Sequence, residues 1–246
     1  MKQIIAIIAM GSQLLLAADW SSTKVEYLYG TGYKIPFAGP NGEHLTESQS
    51  VASFTHASGT FYGGQFYFFD ATIAKDKSVS IYGEWSPTLS LGKVLNRNLS
   101  MGPLRDYSLS GTLEFAPKNV NRLVGVGFDL NIPKFAFFTF TPYFRDDPSL
   151  SGGTWQVTTV WSLPFSFGPA NFQFDGFIDW AGKEGADANT SVMNIQAQPA
   201  LLFDLSSFVG KKEALMVGTE FLYWKNKYGI QGLTESQPQL CIRSVF

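Results

Sequence analysis

The carboxyl-terminal stretch EFLYWKNKYGIQGLTESQPQLCIRSVF, Glu220 to Phe246, decides how the rest of the chain is read. Leading into it, Leu215, Val217, Phe221 and Tyr223 keep a spacing of two, with polar Thr219 and Lys225 in step. After a Gly, Thr, Glu and Ser linker, Leu240, Ile242 and Phe246 resume that phase. A period of two belongs to strands, whose successive side chains point to opposite faces. Two alternating strands, a polar turn and a terminal Phe read as the closing hairpin of a β-barrel.

The other end has a different logic. Met1 and Lys2 make a short positive start, Ile4 to Leu16 an apolar core, and Leu16-Ala17-Ala18 a small-residue exit. That core is too short to span a bilayer, so residues 1–18 are expected to be a secretory signal peptide and 19–246 the barrel. Beyond the leader, no run approaches the roughly 18 apolar residues of a membrane helix. Mean hydropathy is +0.01, as weak, alternating barrel strands would give. The 22 Phe, 10 Tyr and 6 Trp exceed what a soluble core needs. Membrane barrels concentrate such rings in girdles at the two interfaces.

Taken in order, the alternation places strands at Lys24–Thr31, Gln49–Ser58, Phe61–Ile73, Val79–Trp85, Asp106–Phe115 and Val120–Asn131. Further strands are expected at Phe135–Arg145, Thr154–Leu163, Asn171–Trp180 and Met193–Leu205, followed by the closing pair. The fold class is therefore all-β, a transmembrane antiparallel β-barrel of about 12 strands. That leaves about 19 residues per strand and connection, which suits a tilted membrane strand of roughly 9–11 residues. An even count returns both termini to the periplasmic side. Segments 33–48, 74–77, 117–119, 145–153, 182–191 and 226–236 then become extracellular loops, mostly rich in charge and Gly. The connection from Pro87 to Leu104 is long for a periplasmic turn.

Glu220 to Gln239 resembles the carboxyl-terminal signature of the Tsx-like family of nucleoside-specific outer-membrane channels. Further stretches are similar to that family. They are Glu84 to Ser90, Gly125 to Pro133, Trp161-Ser162-Leu163-Pro164-Phe165, Gly176-Phe177-Ile178-Asp179-Trp180, and a strand carrying Gln196, Gln198-Pro199 and Asp204. Thr88 stands where the family usually has Arg, so any pairing made by that arginine is not carried over. The resemblance implies a monomeric bacterial outer-membrane channel that passively admits nucleosides. Its extracellular loops would offer attachment points for phage or colicin.

Alternation also assigns the lumen. A Lys or Arg on the lipid face near the midplane costs about 2–4 kcal/mol, so charges inside strands should point inward. The candidates are Lys24, Glu26, Asp70, Glu84, Glu114, Asp129, Arg145, Asp175, Asp179, Asp204, Glu220 and Arg243. Nine of these are acids and three are bases, which disfavours an anion or phosphate pore. The rings expected among them are Tyr67, Tyr82, Phe177 and Trp224. An aromatic face beside a carboxylate suits a neutral planar solute, since base stacking is worth about 1–3 kcal/mol and sugar hydroxyls donate to carboxylates. The expected solute-binding residues are Glu26, Tyr67, Asp70, Tyr82, Glu84, Asp129, Arg145, Asp175, Phe177, Asp179, Glu220 and Trp224. A general small-solute porin and a surface receptor or adhesin are the alternatives.

Other classes find little support. A formal net charge of −2 with no basic run does not suggest nucleic acid. Cys241 has no partner for an internal disulfide, and His44 and His56 alone make no metal cluster. There is no Gly-x-Ser-x-Gly elbow, and Gly125-Val126-Gly127 lacks the third glycine of a dinucleotide loop. No catalytic residue, cofactor or metal is expected.

Overall fold

The alternating segments fold as the strands they encode, hydrogen-bonded edge to edge into a closed ring. The computed structural model describes residues 18–117, 119–186, 189–210 and 214–246. Of the expected leader, residues 1–17 lie outside these. The first strands are β1 (Trp20–Ile35), β2 (Leu45–Gly59), β3 (Gly63–Ile73), β4 (Val79–Ser90) and β5 (Leu104–Phe115). Next come β6 (Val120–Leu130), β7 (Phe137–Asp146), β8 (Thr154–Phe167) and β9 (Ala170–Ala181). A two-stranded hairpin of β10 (Glu184–Ala186) and β11 (Asn189–Ser191) stands apart from the wall. The wall resumes with β12 (Asn194–Ala197), β13 (Ala200–Asp204), β14 (Leu215–Lys225) and β15 (Glu235–Val245).

β12 and β13 pair in one continuous register with both β9 and β14, so they are two pieces of a single stave. Pro199, which has no N–H to donate, sits at the break. Every neighbouring pair is antiparallel, and β1 on β15 closes the ring at twelve staves. Among the described residues no helix is long and apolar enough to cross a membrane.

Strand boundaries differ from the sequence expectation where local chemistry extends or breaks the ladder. β1 and β2 run on to Ile35 and from Leu45, so the first outer loop is shorter than expected; a bulge between Gly30 and Tyr33 carries the extension. β4 does not stop at Trp85 but continues through Pro87, which pairs only toward β3 while the β5 ladder skips it. Pro142 in β7 does the same, pairing toward β8 and leaving a gap toward β6. Proline survives inside a strand when its missing donor faces such a gap. The long connection after β4 is built from Ser90, which caps a one-turn helix, Leu91–Leu95, by accepting from the Lys93 amide. Asp106 accepts from both the Ser90 hydroxyl and the Gly92 amide, and Lys93 Nζ donates to the Thr60 carbonyl, so the segment is tied down.

Outward side chains such as Val25, Phe54, Ile81, Val124, Phe144, Ile178, Phe221 and Ile242 are apolar and exposed, as lipid contact requires. The apolar core lies inside instead: Leu28, Tyr33, Val51, Ala200, Leu202, Met216, Leu222 and Cys241 form one cluster across neighbouring staves. Small residues matter where walls crowd. A Cβ at Gly125 would stand 2.2 Å from the Pro142 carbonyl oxygen. Gly125→Val is therefore expected to lower stability by at least the roughly 1–3 kcal/mol of overpacking. The measurement is the urea midpoint of refolded protein in detergent, and an unchanged midpoint would show that β6 and β7 can part at no cost.

Candidate functional site

Strand phase alone sorts the charged and aromatic side chains. Glu26 lies opposite Arg243, Asp70 opposite Ser53 and Tyr82, and Glu84 opposite Glu114. Asp129 lies opposite Asp106, Arg145 opposite Leu123, Asp175 opposite Ser162, Phe177 opposite Val160, and Asp179 opposite Thr158. Glu220 pairs with Ala200, and Trp224 with Gln196. All eleven share the face of the interior core cluster.

Tyr67 is the exception, and the inward placement expected for it is corrected. It is three residues from Asp70 on an unbroken ladder, so the two side chains must point to opposite faces. Its ring stacks on His56 at 5.0 Å and on Phe54 at 6.3 Å, on the outer surface. His56, held by Thr23 through Nδ1, belongs to that outer row rather than to the lumen.

The interior residues gather into three groups. On the first, Arg243 reaches from β15 to Glu26 on β1 (Nε to Oε1, 2.7 Å) and to Asp175 on β9 (Nη1 to Oδ2, 2.6 Å). Lys24 adds a longer contact to Asp175, 3.6 Å. Glu220 and Asp70 lie within electrostatic reach of Glu26. Four acids thus share two bases, and the guanidinium crosses the lumen between staves that are not neighbours.

The second group lies on β4, β5, β7, β8 and β9. Arg145 donates to Glu114 at 2.6 Å and to Gln156 at 2.9 Å. Tyr82 donates to Glu84 at 2.6 Å, and Thr158 to Asp179 at 2.5 Å. Glu84, Glu114 and Asp179 repel one another across the space, with Arg145 as their shared counter-charge. Above it, Glu184 of the outer hairpin lies 4.0 Å from Arg145. Burial raises the Glu184 carboxyl above its ordinary value, opposed by the Asp147 amide and Arg145, which lower it.

The third group sits at the end of the barrel opposite the chain termini, around the β14–β15 connection. Lys227 Nζ bonds Glu235 at 2.6 Å and lies 5.9, 5.5 and 5.1 Å from the rings of Tyr33, Trp224 and Tyr228. Asp129 stands apart from all three groups, paired with Arg105 near the end of the barrel that carries the termini. Sequence reasoning left out Tyr33 and Glu235, which it placed in loops, and Tyr143, whose phase two residues before Arg145 was a usable signal. Among the described residues no group of three His, Cys, Asp or Glu could hold a metal ion.

No family model matches the chain. Over 113 residues it is 26% identical to the outer membrane protein OmpK of Vibrio parahaemolyticus, a match that covers 43% of this chain and 42% of that protein. The chain thus matches less than half the length of that relative. Its fold is similar to that of a KdgM porin, with a TM-score of 0.50 at 8% identity, covering 91% of this chain and 99% of that one. Neither match singles out the Tsx-like channels. A closed barrel with an apolar outer belt and a polar interior, together with these matches, places the chain in the bacterial outer membrane as a porin-like barrel.

Proposed function

We propose that this porin-like outer-membrane barrel admits neutral, ring-bearing solutes, with nucleosides as the best fit, by passive diffusion through its lumen. The observation that carries the reading is the second group. Phe177 and Asp179 share one face of β9, and the Tyr82–Glu84 pair faces the same space from β4. A base can stack on such rings for about 1–3 kcal/mol, while ribose hydroxyls exchange water for carboxylate acceptors. Acids outnumber bases in both ionic groups, which turns anions away. The resemblance to the Tsx-like family supports nucleosides over other neutral solutes.

Refolded protein in a planar bilayer, titrated with adenosine or thymidine, tests the reading. A saturable block of single-channel conductance by nucleosides, with none by free sugars, is the expected result. Conductance without block would make the protein a general small-solute porin. An absence of conductance would remove the channel reading and favour a receptor whose outer loops do the work.

A further inference from the structure

We propose that solute crosses the barrel along one side only, over a hydroxyl-lined sector formed by β4 to β8. The opposite sector, formed by β13, β14, β15, β1 and β2, is a sealed part of the wall. This rests on the channel reading and specifies its route.

The two sectors differ in what faces inward. On β13, β14 and β15 the inward side chains include Leu202, Met216 and Cys241, at most 1% exposed, and on β1 and β2 Leu28 and Val51 extend the same cluster. Packed apolar side chains leave no space for a hydrated solute. Arg243 closes this sector further, because its bonds to Glu26 and Asp175 tie β1 to β9 across the inside of β13 to β15.

From β4 to β8 the inward positions include the half-buried hydroxyls of Ser86, Ser108, Thr139 and Thr158 and the buried ones of Thr112 and Thr141, around the charged residues of the second group. Between them, β6 turns Gly125 and Gly127 inward, which keeps that stave low. A Cβ at Gly127 would meet the Ser108 and Ser110 hydroxyls at 2.4 and 2.9 Å. Hydroxyls both donate and accept, so a neutral polyhydroxylated solute can pass from one to the next without losing its hydrogen bonds.

A separate observation marks the borders. Asp70 on β3 and Asp175 on β9 each hold a buried Oδ1 with no hydrogen-bond partner. Those two staves flank the hydroxyl sector on either side. Two free acceptors along its edges are what a passing hydroxyl donor would use.

The sole cysteine supplies the internal control, since Cys241 lies in the sealed sector and is fully buried. Conductance of the unmodified chain is measured first, then again after a cationic methanethiosulfonate. Ser108→Cys and Thr139→Cys receive the same treatment, with Ser86→Cys as a third position in case one variant fails to insert. The expected result is loss of conductance in the variants and none in the unmodified chain. Block of the unmodified chain would overturn the proposal, because Cys241 would then be on the route. Conducting variants indifferent to the reagent would overturn it while leaving the channel reading intact. An unmodified chain that does not conduct removes both together.

Discussion

Arg243→Ala is expected to cost about 3–5 kcal/mol of stability, the penalty of leaving buried charges without their partner. Arg243 is 4% exposed, and its guanidinium is shared between Glu26 and Asp175. Removing it leaves both carboxylates facing a low-dielectric interior with Lys24 alone, at 3.6 Å from Asp175. The loss should appear as a lower urea midpoint for refolded protein in detergent. Replacing all three together, Arg243→Met with Glu26→Gln and Asp175→Asn, should restore much of it, because no unpaired charge then remains. A triple variant as unstable as the single one would mean that packing of the arginine stem, not its charge, holds this side of the lumen together.

Lys227→Met should be nearly as costly, on the order of 3 kcal/mol, for the same physical reason. Glu235 has no exposed surface and keeps only the Lys34 amide at 2.6 Å and the Gln237 amide at 3.3 Å once the ammonium is gone. The outer loop should also loosen. Tyr228 takes a left-handed backbone conformation, φ 57°, which disfavours a bulky residue. Its ring is held edge-on to Trp224 at 4.6 Å, with Lys227 against both rings. Faster protease cleavage within 226–234 would report the loosening. A double-mutant cycle with Glu235→Gln separates the pair from its surroundings, and a coupling near zero would refute the assignment of the cost to the ion pair.

How much of this was legible in the sequence follows from what alternation can and cannot carry. Within a single strand, phase is a local property. Tyr82 with Glu84, Asp175 with Phe177 and Asp179, and Glu220 with Trp224 were therefore placed on common faces correctly from spacing alone. The misplacement of Tyr67 was avoidable on the same ground, since Asp70 lies an odd number of residues away. Boundaries were less legible, because Pro87 reads as a breaker that ends its strand at Trp85 until the β5 ladder is seen to skip it. The outer loop held surprises of another kind: Glu235 and Tyr33 are far apart in sequence and become neighbours only when β15 closes on β1.

The sequence by itself determined the strand period, the number of staves, the outward apolar belt and the excess of interior acids, because each depends on residues two apart or on composition. Only the tertiary structure decided which acids share which base. Arg243 meets Asp175 across the two staves between β15 and β9, and Lys227 enters a cage of three rings. It also decided that an apolar cluster packs one side of the lumen while the other gathers hydroxyls around the second ionic group. Those outcomes depend on how the ring closes and where side chains from distant strands end, and no local pattern encodes them.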